Sequence, residues 1–310
     1  MRVYTIKKYQ KDHYSLWNSF VADAKNGTFL FHRDFIEYHK DRFDDFSLLI
    51  YDGQRLIALL PANKSNTDIY SHQGLTYGGL ILRKSIGGEK IRHILQTLTD
   101  YIKSEGNHRL FIKYQPSFYN QRPSNELSFF LTDSGGEMYR RDLNLAIDYR
   151  LPLQIHKSKL KHFDKKRDLG FVIEEVEDCS EFWEQVLIPR LQQKHKTTPV
   201  HSISEIMLLK NRFPENIKQF VIRFQGKIQA GITIFKTTTV VKSQYGAVTM
   251  DGEKNRALDF LFISLIKKYK EEGYLFFDMG TVTENNFGLL KQKEELGCEI
   301  YTQDFYRLSL

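Results

Sequence analysis

Residues 240–280 constrain the fold more than any other stretch of the chain. Residues 240–247 form a short extended run and 249–255 a polar turn. Apolar residues then recur at Leu258, Leu261, Phe262, Leu265, Ile266 and Tyr269. Those spacings keep one face of a 3.6-residue helix apolar. Gly273 supplies a left-handed stop. Residues 274–279 read as a buried strand with Asp278 at its carboxyl end and Gly280 beyond it. A second helix is expected over 286–296, closed by Gly297. Strand, helix and strand in this order dictate a parallel pair with a right-handed crossover. Ligands of such units sit at the carboxyl ends of the strands. Residues 246–255 and 278–286 are therefore expected on one rim.

The first half of the chain repeats this plan. Residues 47–51 and 55–61 read as two strands joined by Asp52-Gly53, a hairpin signal. Gln225-Gly226 stands in the same place in the second half. Ser71-His72-Gln73-Gly74-Leu75 is matched with Ser243-Gln244-Tyr245-Gly246-Ala247. A helix over 89–103, with Ile91, Ile94, Leu95, Leu98 and Ile102 inward, ends before Gly106 and is matched with the helix that ends before Gly273. The strand at 109–114 is matched with that at 274–279. The paired positions are 53 and 226, 71 and 243, 106 and 273, so the offset drifts little. A period this long means a duplicated domain rather than a solenoid. The domains are expected at 1–150 and 151–310. A further helix is expected over 12–24, with Trp17, Phe20 and Val21 as its core face, and a strand at 3–6. Between the halves lies a basic run with Lys157, Lys159, Lys161, Lys165, Lys166 and Arg167. It is either a solvated helix face or a phosphate-contacting surface.

Composition narrows the class. With 41% hydrophobic and 27% charged residues over 310 positions, the chain can bury a core. Its net charge of +7 favours acidic or phosphorylated ligands but falls short of a dedicated nucleic-acid binder. Cys179 and Cys298 are too few for a disulfide framework, which fits a reducing compartment. The N-terminal residues lack the apolar run of a signal peptide, and no stretch approaches 18 apolar residues, so no membrane span is expected. A cytoplasmic protein is expected. The aromatic residues, 14% of the chain, are expected in the core rather than in a base-stacking platform.

Each half thus reads as helices, an antiparallel hairpin, a strand with a polar end, a helix, a parallel strand and closing elements. This order resembles the GCN5-related N-acetyltransferase (GNAT) fold. Two such domains in tandem resemble the Fem-type aminoacyltransferases and their acyltransferase relatives. SHQGLTYGG at Ser71, SQYGA at Ser243, FDMGTVTENNFGLLKQKEELG at Phe277 and KSKLKHFDKKRDLGFVIEEV at Lys157 carry the resemblance. It implies an α+β fold of two tandem GNAT-like domains, with mixed sheets flanked by helices. It implies an acyltransferase whose second domain binds the donor. The donor would be acyl-CoA, or aminoacyl-tRNA in its place, with no metal. The acceptor would be an amino sugar or similar amine on a nucleotide- or lipid-linked precursor of a cell-surface polymer; DNA is not an expected partner. The usual acetyl-CoA loop, Gln/Arg-x-x-Gly-x-Gly/Ala, is replaced by MDGEKNRA, which keeps Gly252 and Ala257 at another spacing. The helical-hairpin arm of some Fem-type enzymes has no counterpart segment. A third reading is a non-catalytic ligand-binding protein on a decayed acyltransferase.

Acyl transfer needs a deprotonated nucleophile, donors for the oxyanion, and two substrates held together. Asp278 is either a turn carboxylate or the group that orients or deprotonates the acceptor. His72 is either structural or a base, since an unperturbed imidazole titrates near neutrality. Donor contacts are expected at Gly246, Ala247, Gly252, Lys254, Asn255, Arg256 and Lys291, because backbone N–H groups at a helix N-terminus hold phosphate. Lys293 and Glu294 adjoin Lys291. Acceptor contacts are expected at Ser71, Gln73, Tyr77, His201, Gln244 and Tyr245, which otherwise form polar strand edges. Arg190, His195 and Lys196 are further contacts for an anionic acceptor. His195 and His201 lack a third ligand at a metal-binding spacing, so no metal site is expected.

Overall fold

The structure, a computed structural model, describes residues 4–167, 170–282 and 286–310, apart from the side chain of His195. The expected contact by His195 therefore lies outside the described residues, as do 283–285 of the expected rim. The chain forms two compact units, Met1–Asp142 with Thr302–Leu310, and Leu143–Tyr301. Sequence placed the division at 150. It falls earlier because one long strand changes unit along its length, and the end of the chain returns to the first unit.

In the first unit, β1 (Thr5–Lys8), β3 (Leu48–Asp52), β4 (Arg55–Leu60) and β7 (Ile81–Leu82) form an antiparallel sheet. The short strands β2 (Asp44–Asp45), β5 (Asn63–Ser65) and β6 (Asp68–Tyr70) lead by antiparallel pairs to β6, which runs parallel to β8 (Arg109–Lys113). Residues Phe305–Ser309 pair with β8 on its other edge. The helices are α1 (Tyr14–Asp23), α2 (Arg33–Ile36), α3 (Gly88–Ser104) and α4 (Glu126–Asp133). α1 buries Trp17, Phe20 and Val21, and α3 buries Ile91, Ile94, Leu95, Leu98 and Ile102, as their spacing dictates. These helical residues of α3 join Leu48, Ile50, Ala58, Leu60 and Leu110 in one apolar core.

The strand β9 (Glu137–Asp148) then carries the chain into the second unit. There α5 (Lys157–Arg167), β10 (Phe171–Val176), α6 (Ser180–Phe182), α7 (Ile188–His195) and α8 (Ile203–Arg212) precede the hairpin of β11 (Ile217–Phe224) and β12 (Lys227–Lys236). Gln225 and Gly226 both have positive φ, +50° and +75°, the backbone that a two-residue hairpin turn of the strands' own twist requires. β13 (Val240–Val248), α9 (Met250–Lys254), α10 (Ala257–Glu271), β14 (Phe276–Val282), α11 (Phe287–Glu295) and β15 (Glu299–Ser309) complete the chain. β10 to β13 pair antiparallel in sequence order, β14 lies parallel to β13, and residues 143–148 of β9 pair antiparallel with β14. α10 is buried more widely than its stripe predicted. Ala257, Phe260 and Ile263 are buried with Leu261, Phe262, Leu265, Ile266 and Tyr269, because α10 packs on the sheet and α5 packs on α10.

The duplication is present in the element order, but one sequence match holds only in part. Ala58 pairs with Leu82 in the first unit, and Gly231 pairs with Ala247 in the second. Ala58 and Gly231 occupy equivalent places after the two hairpins. At this end Leu82 is the counterpart of Ala247, whereas on the parallel side Tyr70 pairs with Phe111 as Lys242 pairs with Asp278, so Ser71 follows its last pair as Ser243 does. The β5–β6 pairs correspond to the end of the β12–β13 ladder, and the segment between β6 and β7 is longer than its counterpart within β13. Ser71 thus stands where Ser243 stands, and the match is lost within the longer segment that holds His72, Gln73 and Tyr77.

Gly231 packs directly under a ring. A Cβ there would collide with the side chain of Phe182. Gly231→Ala is expected to destabilise the chain by about 1–3 kcal/mol, the usual cost of overpacking. A lower urea midpoint at unchanged slope is the expected result.

Candidate functional site

The two central strands of the second unit part after three residue pairs. β13 and β14 are in register only from Val240–Phe276 to Lys242–Asp278. At the last pair the Lys242 ammonium lies 3.0 Å from Asp278 Oδ2. Asn144 Nδ2 and the Gly280 backbone N–H both donate to Asp278 Oδ1, at 2.8 and 2.7 Å. Asp278 is fully buried, at 0% exposure, so this carboxylate holds its charge through those donors. Gly280 turns the chain with φ +78°, and Lys242 Nζ lies close to where its Cβ would be. On the other side β13 bulges. Its register against β12 slips between Thr233 and Ile234, which leaves Gln244 outside the ladder.

A cleft of about 690 Å³ lies along this divergence. Ser243, Gln244, Gly246, Ala247 and Val248 of β13 line one side, with Met279 of β14. Arg190, Leu191 and Lys194 of α7, Gly252 and Glu253 of α9, Leu258 and Phe262 of α10, and Leu289 and Lys293 of α11 supply the walls. The interior is mixed: apolar side chains line its depth, and charges are set among them.

Each charge has a traceable arrangement. Glu253 accepts from Arg190 Nη2 at 2.5 Å and from Lys194 Nζ at 3.4 Å, and these cations hold its carboxyl below the usual range, Arg190 first. Asp259 pairs with Lys159 of α5 at 2.7 Å. Arg256 lines the cleft with no carboxylate partner among the described residues. It caps α10 with a left-handed backbone, φ +55°, and its side chain makes no cap hydrogen bond. Lys293 is 6% exposed and donates to the carbonyl oxygens of Gly280 and Thr281, at 3.0 and 3.1 Å. Burial, then the neighbouring Lys242, pushes its ammonium down to about 8.

The expected donor contacts divide. Gly246, Ala247, Gly252 and Arg256 line the cleft, whereas Lys254 and Asn255 do not. The polar turn is in fact the short helix α9, which points Lys254 outward to pair with Asp251 at 3.1 Å, and Asn255 accepts from Lys166. Lys291 lines a separate hollow with residues 154–157, and Lys293 takes the cleft-facing place. Gly252 N–H donates to Thr249 Oγ1, and a Cβ on Gly252 would strike the Gln229 carbonyl, so this glycine is required by packing. Asp278 lies beneath the cleft wall and positions the strands rather than lining the cleft.

Among the expected acceptor contacts, Gln244 lines the cleft, and its Oε1 is buried without a hydrogen-bond partner among the described residues. Tyr245 Oη lies 2.5 Å from His201 Nδ1, and burial pushes the phenol up to about 12, so it stays protonated. Trp183 packs edge-on against the Tyr245 ring. In the first unit Ser71, His72 and Tyr77 are buried. Tyr77 donates to Thr28, and Gln73 accepts from Asn63. His72 Nδ1 accepts from Gly74 N, and its ring stacks on His39 at 5.4 Å. Burial, then the His39 charge, pushes His72 down to about 3, so it does not titrate near neutrality. Sequence reasoning missed Lys242 and Asn144. The signal at Asn144 was its place between Leu143 and Leu145, and at Lys242 its place directly after Val240 and Val241.

Searches of protein-family models and of curated proteins find no match. Solved structures do match. The crystal structure of FemX aligns with 99% of this chain and 97% of its own, at TM-score 0.74 and 10% identity. The chain has a Fem-like tandem GNAT fold. L-PGS from Bacillus licheniformis aligns at TM-score 0.65 and 14% identity, covering 97% of this chain and 92% of that one. A tandem GNAT protein from the clavulanic acid biosynthesis pathway aligns at TM-score 0.55 and 12% identity, covering 99% and 98%. Within this Fem-like fold, no helix among the described residues is long and apolar enough to cross a membrane. No group of three or more His, Cys, Asp or Glu among them is placed to hold a metal ion.

Two outcomes follow from the charges beneath the cleft. Asp278→Asn leaves Lys242 facing a neutral group, and a loss of about 3–5 kcal/mol is expected on chemical denaturation; unchanged stability would contradict the buried pair. For Lys293, folding lowers the pKa from 10.5 to about 8. Below about 8 the lysine is charged in both states, and the cost of burying that charge is present in full. Between about 8 and 10.5 only the unfolded chain holds the proton, so that cost is relieved as pH rises. Over this window the wild type should gain on the order of 3 kcal/mol relative to Lys293→Met. Urea titrations of both proteins at the two ends of the window check it.

Proposed function

We propose that the chain is an N-acyltransferase whose donor occupies the cleft between β13 and β14. The observation that carries this reading is the junction of that cleft with the first turn of α10. Leu258 and Asp259 line the cleft at the helix start, and among the described residues no side chain is seen to cap the first N–H groups. Such a helix start attracts phosphate, and the unpartnered Arg256 adds a full charge beside it. Phosphates of an acyl-CoA fit there, with the thioester reaching along the parting strands. Beyond Lys242 the edge of β13 that faces β14 has no ladder partner among the described residues. Its N–H groups are suited to hold a carbonyl oxygen as it gains charge.

The chemistry is a single exchange. The acceptor amine attacks the thioester carbonyl, the C–N bond forms, the C–S bond breaks, and the leaving thiolate takes up the proton that the amine nitrogen gives up. Gln244, with its unpaired amide oxygen, is placed to accept from the acceptor N–H. Lys293 fixes the turn that follows Asp278. The acceptor proposed is an amino sugar or a similar amine on a nucleotide- or lipid-linked precursor of a cell-surface polymer, in a cytoplasmic setting. The acceptor class rests on the Fem-type resemblance, whose fold the likeness to FemX and L-PGS supports.

A second reading has aminoacyl-tRNA as donor, and one observation favours it. Lys157, Lys161 and Lys165 of α5 have no acidic partner among the described residues. His162, on the same helix, is pushed below its ordinary pKa by desolvation, then by Arg256, Lys165 and Lys161. The cationic surface therefore runs from α5 to the cleft residue Arg256, as a polyanion would require.

Thermal-shift screening separates the readings, because a ligand that binds only the folded state raises its melting point. An acyl-CoA is expected to stabilise the chain, by about 2.7 kcal/mol at a hundredfold excess over Kd. Arg256→Glu is expected to remove most of that gain without lowering the melting point of the free protein. Stabilisation by charged tRNA alone would favour the second reading. Silence from both would favour the non-catalytic reading.

A further inference from the structure

We propose that Arg190 and Lys194 form an anion subsite in the wall of the cleft, which the Glu253 carboxylate holds in the free protein and surrenders to a phosphate group of the incoming ligand. The side chain of Arg190 is only 13% exposed, whereas that of Glu253 is 53% exposed. The fold has thus already withdrawn the guanidinium from water, and its carboxylate partner stays solvated and replaceable at low cost. A guanidinium carries five N–H donors in a planar fork that fits carboxylate and phosphate alike. Arg190 gives one donor, Nη2, to Glu253, and the chain offers it no other acceptor among the described residues.

The local backbone makes the exchange a side-chain event. Glu253 N is bonded to Thr249 O, and its neighbour Gly252 is packed against the Gln229 carbonyl. α9 is therefore held in place, and only the Glu253 side chain need turn for the cations to be released. Arg256 lies at the end of the same turn, its N–H bonded to Glu253 O, and adds a third positive group. A phosphate group brings more charge than a carboxylate and takes the cations in competition. A neutral ligand gains nothing by displacing Glu253, so the arrangement selects for ligands with an anionic end.

This inference deepens the reading of the same cleft. Its readout is anion binding without turnover, so failure of acyl transfer and failure of the subsite are distinguishable. A nucleotide 3′-phosphate and an RNA backbone offer the same chemistry. The probes are therefore adenosine 3′,5′-bisphosphate and a short RNA hairpin ending in CCA. Calorimetry on the intact chain at low salt is the measurement. Glu253→Gln removes the internal competitor and is expected to bind one of the probes about threefold more tightly or better, with a steeper loss of affinity on adding salt. Glu253→Asp, which draws the charge back from Arg190, is expected to move in the same direction if Glu253→Gln melts early. Lys194→Gln should weaken binding, and combining it with Glu253→Gln should return most of the gain. A gain with the bisphosphate alone assigns a nucleotide, and a gain with the hairpin alone assigns RNA. Equal or weaker binding of both probes by both Glu253 variants overturns the proposal.

Discussion

The buried pair of Lys242 and Asp278 governs the second unit. It stands at the last residue pair of two parallel strands, and beyond it the strands separate. A parallel ladder would ordinarily continue, since each pair adds hydrogen bonds. Here Asp278 spends its second oxygen on Asn144 and on the Gly280 N–H, and Gly280 turns the chain away. On the other strand the bulge at Gln244 turns polar groups of β13 toward the gap. Two local departures from sheet geometry, the turn at Gly280 held by the buried hydrogen bonds of Asp278 and the bulge at Gln244, thus open a cleft between β13 and β14.

The first unit follows the same plan to a different end. Its hairpin, helix and parallel strand correspond to those of the second, but β6 occupies the parallel position beside β8. Ser71, His72 and Tyr77 are packed away, and the His72 ring is stacked on His39. Of the polar residues that look like a second site in the sequence, His72, Gln73 and Tyr77 are hydrogen-bonded within the unit, and Ser71 Oγ is buried with no partner among the described residues.

Much of this was legible in the amino-acid order. The inward residues of α1 and α3 follow from their spacing, and the β11–β12 turn follows from Gln225-Gly226. The tandem fold follows from the order of elements, which survives where identity to FemX is 10%. Contacts set by pairing at a distance were not legible. Matching Ser71 with Ser243 holds at the parallel pairs, but the longer segment between β6 and β7 breaks it before Leu82, which appears only in the register of β7 against β4. A polar run at 249–255 reads as a turn, yet Thr249 caps a short helix there. Lys291 and Lys293 look equivalent in sequence, but residues two apart on a helix face opposite ways, and burial alone decides which reaches the cleft. The unit boundary was missed because β9 and β15 are shared strands, which no composition shift marks.

The most direct test of this account is amide hydrogen exchange, read with and without the acyl-CoA or charged tRNA that stabilises the chain. Bound ligand is expected to protect peptides covering residues 243–259 and 287–293, while those covering 71–82 exchange unchanged. Protection at 71–82, with none at 243–259, would place the ligand in the first unit and contradict the account.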